Sequence, residues 1–243
     1  MLFSEPPRSP WDLRFWALGF PVRVHPFFWL VAALLGLGDG RPQPVVIWVG
    51  VVFVSVLVHE LGHALAARYF RWPASIVLYG GGGLALLEER RPTMQRRVIV
   101  ALAGPAAGFL LAALIILLVV ISGQRIEYRI LGWQVTFGSG QPLQLGRIGL
   151  QVLDNALFIN IYWGLVNLLP IFPLDGGRVA RELFINSRMD NGLRASLQLS
   201  MTLAVALAVA TALAGKSMFM PLFFGLFALD GYQRLSGRSL FDR

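Results

Sequence analysis

The sequence predicts an all-α polytopic membrane protein of about six transmembrane helices, with a membrane-associated β-hairpin after the second. Three observations predict it. The 243 residues are 56% hydrophobic and only 14% charged, with a mean hydropathy of +0.64. A soluble domain carries roughly 25% charged residues, so this chain lacks the charge that a fully wetted surface requires. Four apolar stretches reach the length, about 20 residues, that crosses ~30 Å of hydrocarbon as helix. The basic residues are also unevenly placed: with six spans, sixteen of the 21 fall on the side that holds both termini.

In chain order, the first 23 residues carry Glu5, Arg8, Asp12, Arg14 and Arg23 among prolines, so no cleavable signal peptide is evident. Val24 to Gly38 is apolar, but as helix it reaches only ~20–22 Å, so it must thin the bilayer, borrow flanking residues or stop short. Pro44 to Ala67 is long enough and contains one formal charge, Glu60. Ala74 to Glu89 reads ASIVLYGGGGLALLEE: a β-branched run, four glycines, then alternating apolar residues, the pattern of a hairpin. Val98 to Ile121 is an uncharged span. Gly123 to Gln151, with Trp133 and Phe137 among glycines, reads as a strand-rich or interfacial extracytoplasmic loop. Asn155 to Leu174 and Ala195 to Gly215 are uncharged spans, and Ser217 to Leu229 is a second short one. The result is a single membrane-embedded domain over 1–243, with a core at 44–181 and flanking helices at 24–38, 195–215 and 217–229.

The formal charge of +8 would suggest nucleic acid on a polar chain; here it marks cytoplasmic anchoring. The positive-inside bias places both termini in the cytoplasm and the chain in the inner (plasma) membrane, with the lipid bilayer as solvent and no nucleic-acid partner. The absence of cysteine excludes disulfides and thiolate metal sites.

The second span holds His59, Glu60 and His63 within VSVLVHELGHALAARYF. Residues four apart lie ~40° apart and one turn up a helix, so both imidazoles share a face. Such a pair can bind zinc, with Glu60 reaching a metal-bound water. A chance H-E-x-x-H is common on soluble helices, but an ionised group at the centre of a membrane helix costs ~2.5–3.5 kcal/mol and needs a partner. A third ligand must come from elsewhere. His25 sits at a helix entry, where a capping role fits, and Glu182 lies beyond the fourth span. Asp175, in NLLPIFPLDGGRV, is the better candidate. Pro170 and Pro173 remove backbone donors and should unwind the helix end, and Gly176 and Gly177 permit a turn that aims the carboxylate inward. Capping of a helix over 176–184 is the alternative role.

These residues resemble the site-2 protease family of intramembrane zinc metalloproteases. HELGH at 59–63 is similar to the first motif of the family and NLLPIFPLDGG at 167–177 to its second, with AGP at 103–105 between them. The resemblance covers roughly residues 45–181. It implies one Zn2+ per chain on His59, His63 and Asp175, Glu60 as general base, and Asn167 near the metal, holding the substrate backbone or its oxyanion. It also implies that the edge of the 74–89 hairpin pairs with an unwound substrate strand. Members often carry PDZ or CBS modules. Neither is expected within these residues, so gating would fall to size exclusion or a separate regulatory protein.

The expected activity is that of a zinc metalloendopeptidase cutting within or near the transmembrane segment of a single-pass membrane protein. The alternative in the same fold is a catalytically inactive scaffold that binds transmembrane segments. An ion transporter using Glu60 with Asn155, Asn160 and Asn167 is a third class, weakened by the lack of repeated discontinuous helices.

Overall fold

The computed structural model describes residues 6–37, 42–187, 190–215 and 219–236. Gly38 and Ser217, which bound two expected spans, and Glu5, Arg41, Arg188, Lys216, Arg238 and Arg243 lie outside the described residues.

The fold is mainly helical but not all-α, and the first departure is near the N-terminus. Two strands that the sequence does not announce, β1 (Leu13–Ala17) and β2 (Phe20–Val24), form a tight hairpin. Its turn residues Leu18 and Gly19 have φ of 49° and 84°, the left-handed conformation that two-residue hairpins use. Phe20, Val22 and Val24 point alternately inward and are buried, which is the period-2 signal of a half-buried strand. β2 runs parallel to β3 (Ala74–Tyr79), and β3 is antiparallel to β4 (Gly82–Leu87). The resulting sheet has the order β1-β2-β3-β4 and leaves β4 as one edge.

The stretch expected as a span over 24–38 is divided. Val24 ends a strand, His25 caps the next helix by accepting the Phe27 N–H at its Nδ1 (3.1 Å), and α1 covers only Pro26–Leu35. Ten residues of helix reach about 15 Å. The strand makes up the difference. At one end Arg68 donates to the Leu18 carbonyl at 2.9 Å; at the other, Gly36 packs so closely on Trp48 that a Cβ would strike its ring. Arg68 and Trp48 both belong to α2 (Pro42–Tyr69) and stand twenty residues, about 30 Å, apart along it. β2 and α1 in tandem therefore run alongside α2 over that length.

α3 (Met94–Ile121) packs directly on α2. A Cβ on Gly62 would collide with the Ala103 carbonyl and the Ala107 methyl, so the two backbones meet where small residues coincide. Beyond α3, the expected strand-rich loop contains β5 (Gln124–Ile130), β6 (Trp133–Phe137) and β7 (Gln141–Pro142), in the order β6-β5-β7. The fourth helix starts at Arg147, eight residues earlier than expected, because the amphipathic turns around Arg147 and Asp154 lack the continuous apolarity that marks the span. It proceeds as α4 (Arg147–Phe158), a π-turn (Ile159–Trp163) and α5 (Gly164–Asn167), and stops seven residues before the expected end. α6 (Asp175–Ile185), α7 (Gly192–Ala214) and α8 (Phe219–Leu235) follow, the last two packed together. Among the described residues, three helices are long and apolar enough to cross a membrane: Pro44–Tyr69, Met94–Ile121 and Gly192–Ala214.

The α2–α3 contact yields a paired prediction. Gly62→Ala forces overpacking against backbone and should cost about 1–3 kcal/mol in thermal unfolding of the detergent-solubilised protein. Gly50→Ala in the same helix, where a Cβ meets nothing within 4 Å, should leave stability unchanged or raise it.

Candidate metal centre

α2 presents His59 and His63 one turn apart, with their Nε2 atoms 3.1 Å from each other. His63 is 3% exposed and Glu60 5%. The His63 Nδ1 lies 2.7 Å from the Val100 carbonyl of α3. A carbonyl only accepts, so Nδ1 carries the proton and the Nε2 lone pair of a neutral ring faces His59.

Asp175 reaches this pair because the chain leaves helix between Asn167 and Asp175. Irregular backbone in an apolar region needs every donor satisfied. Pro170 and Pro173 have none to satisfy. The other five N–H groups are all bonded: Leu168 to Leu165, Leu169 to Val166, Ile171 to Leu169, Leu174 to Ile171, and Phe172 to the Ser200 hydroxyl of α7 at 2.8 Å. Gly176 and Gly177 do not form the turn expected of them; they are helical, in α6. Their role is space, since a Cβ on either would run into the carbonyls of Leu168 or Ile171. Asp175 does not cap α6, whose cap position is Leu174 without a side-chain bond.

Instead Asp175 Oδ2 lies 3.0 Å from His59 Nε2 and 3.4 Å from His63 Nε2, with the residue 5% exposed. Three donor atoms thus form a triangle with sides of 3.0, 3.1 and 3.4 Å. Tetrahedral zinc with nitrogen and oxygen ligands at 2.0–2.1 Å sets its ligand atoms about 3.4 Å apart. The donor set and its spacing fit such an ion. His59, Glu60 and His63 also form a group able to hold a metal, their ligand atoms all within 4.8 Å of one another. The Glu60 carboxylate receives no hydrogen bond among the described residues. It borders a cavity beside the backbone of β4, where a Cβ on Gly83 would strike it.

Two glycines thus shape the centre without offering any ligand, and sequence reasoning did not find their role. Gly83 leaves room for Glu60. Gly104, within the AGP segment of α3, faces the imidazoles, and a Cβ there would collide with the Nε2 of both His63 and His59. The motif was visible, but its reason is a tertiary approach that no spacing reveals.

The remaining candidates are separated. Asn167 is half-buried and lines the same cavity as His59, Glu60 and Asp175. His25 caps α1 and contacts Tyr79 edge-on, away from the pair. Glu182 is buried but pairs with Arg97 at 3.2 Å, and Arg97 also holds Glu89 at 2.8 Å. The cavity beside His59, Glu60 and Asp175 has a volume of about 120 Å³, and Gly81, Gly82 and Gly83 form part of its wall. A second cavity, about 410 Å³, is lined by His63, Glu89, Arg97, Arg181 and Glu182, and shares His63 and Arg178 with the wall of the first. Near the first, Arg23 donates to the carbonyls of Pro6 (3.1 Å) and Pro7 (3.3 Å) and pairs with Asp12 at 3.2 Å, which seats Pro6 in the cavity wall. Burial alone would raise the Asp12 pKa; the Ser9 N–H and the Arg23 guanidinium outweigh it and hold the carboxyl below its ordinary value.

The chain has counterparts among known proteins. The sequence profile of peptidase family M50 matches residues 47–211. Over 165 residues the chain is 31% identical to the stage IV sporulation protein FB of Bacillus subtilis (strain 168), an alignment covering 67% of this chain and 47% of that protein. The chain spans about half the length of that relative. Its fold is similar to that of the site-2 protease from Methanocaldococcus jannaschii, with a TM-score of 0.58 at 21% identity, covering 93% of this chain and 95% of the other. By the extent of the profile match, with the relative and the fold in agreement, the chain belongs to peptidase family M50, the site-2 proteases, which are membrane metalloproteases.

Proposed function

We propose that this protein is an intramembrane zinc endopeptidase that cuts a single-pass membrane protein within or near its transmembrane segment. The observation that carries the reading is the triangle of His59, His63 and Asp175, the last two buried, with the buried Glu60 carboxylate beside it. One zinc per chain on the three donors would acidify water and polarise a peptide carbonyl. Glu60 accepts the proton of the attacking water and returns it to the leaving amine. Its lack of any other hydrogen bond among the described residues leaves it free for both transfers. Asn167, at the cavity wall, holds the substrate backbone or the developing oxyanion.

Water reaches the centre through the larger cavity, whose charged walls suit it and which ends on His63. The substrate enters from the opposite face, beside β4. That edge strand exposes main-chain groups to the cavity, and an unwound segment adds to it without demanding one sequence. Non-helical backbone at membrane depth is tolerable where it lines such a cavity. The chain crosses six times: β2 with α1 as one crossing of about 30 Å, then α2, α3, the α4–α5 helix, α7 and α8. Both termini then share the Arg-rich side, the cytoplasm, and the membrane is the inner one. Where activity needs restraint, a separate regulatory protein or the narrow cavity supplies it.

Two outcomes test the centre. Glu60→Gln should retain one zinc per chain, by elemental analysis of the purified protein, and cleave a reconstituted transmembrane substrate about 10²–10⁴-fold more slowly; undiminished turnover would refute the assigned base. Gly104→Ala, which removes no ligand, should lose the metal together with activity, because its methyl occupies the space between the imidazoles.

A further inference from the structure

The fourth helix carries a buried amide that the chemistry above does not use. Asn160 is 3% exposed and lies in the π-turn, where the regular helical ladder is interrupted. Its Nδ2 donates to Ser55 Oγ of α2 at 2.9 Å and to the Ala156 carbonyl at 2.8 Å. A carbonyl accepts only, so the second bond fixes which end of the amide is nitrogen. Both hydrogens are then used, and the oxygen is left over. Oδ1 points towards Gly108, where a Cβ would lie 3.4 Å away, and both Asn160 and Gly108 line the catalytic cavity. No donor among the described residues reaches that oxygen. An acceptor on a buried side chain, oriented by two bonds, facing the cavity and lacking a protein donor is placed for one that arrives from outside.

Its position indicates which donor. Ser55 stands one turn before His59 on α2, so the Asn160 oxygen lies about 5–6 Å along the helix from the metal centre. An extended chain advances about 3.3 Å per residue. We propose that Asn160 is a substrate-positioning residue whose Oδ1 accepts the backbone N–H about two residues from the scissile bond, on the side towards the start of α2. The proposal rests on the proteolytic reading given above. In a helical segment that N–H is already bonded within the helix; in an unwound one it is free. The contact therefore favours the unwound form and sets register, while leaving side-chain identity open.

The test uses a synthetic transmembrane peptide that the wild-type protein cleaves, remade as a series in which one backbone amide at a time becomes an ester and loses its N–H. Affinities are measured on reconstituted Glu60→Gln protein, with and without Asn160→Leu, and zinc content and thermal unfolding report on the fold of each. One ester, about two residues from the scissile bond, should weaken binding to Glu60→Gln about 3–10-fold and have no further effect in the Glu60→Gln, Asn160→Leu double variant. Ser55→Ala, which keeps the Asn160 oxygen but removes one of its two anchors, should reduce this coupling without abolishing it. Equal ester effects with and without the Asn160→Leu substitution, or no position-specific effect in Glu60→Gln, would make Asn160 a mere bridge between helices and overturn the proposal. Should the wild-type protein cleave no peptide, the same ester series is run on a transmembrane peptide that Glu60→Gln protein binds: a coupling to Asn160 at one ester would leave the positioning role standing while proteolysis fails, and its absence would overturn both.

Discussion

Two imidazole nitrogens and a carboxylate oxygen, held within 3.4 Å of one another among apolar helices, are unfavourable company unless positive charge lies between them. Protonation could place one or two hydrogens there, but the Val100 carbonyl already commits one nitrogen of His63 to donating outward. A neutral His63 ring so committed presents its Nε2 lone pair inward, beside the Asp175 carboxylate. A dication satisfies all three at once, and the spacing is that of one face of a zinc tetrahedron. The unwound segment, the glycines and the flanking cavities are intelligible as means of bringing a carboxylate to two imidazoles and leaving one side open.

Much of that work is done by side chains that are not there. α2 and α3 approach through Gly62 and Ala103; the metal space is kept clear by Gly104; Glu60 lies along the backbone of Gly83; and the 168–174 loop folds onto Gly176 and Gly177. In each case a methyl group would meet backbone, a ligand atom or the Glu60 carboxylate. The same economy governs polarity: the two prolines of the loop remove donors where the chain must be irregular, and Ser200 supplies the acceptor that Phe172 needs.

How far the sequence could be read follows from which signals are local. The His59–His63 spacing, the charge at Glu60 and the two prolines before Asp175 are properties of short segments, and the structure brings these residues together. The hairpin residues of β3 and β4 were legible from their β-branched run and glycines. Less legible was the N-terminus. Phe20, Val22 and Val24 alternate in burial, but Arg23 and the neighbouring charges masked a strand only five residues long. The first apolar stretch looks like one element, although Pro26 and the cap at His25 divide strand from helix. The start of α4 escapes notice because an amphipathic turn does not resemble a span. The roles of Gly83, Gly104 and Asn160 depend on what a distant segment places opposite them, and a single sequence carries no trace of that.

The most direct test of the central claim is X-ray absorption at the zinc K-edge on the purified protein in lipid or detergent. The account predicts one zinc per chain in a four-coordinate shell of nitrogen and oxygen at about 2.0–2.1 Å, with outer scattering from two imidazoles that falls to one in His63→Ala. Protein that cleaves its substrate with no zinc, or a shell lacking imidazole, would contradict it.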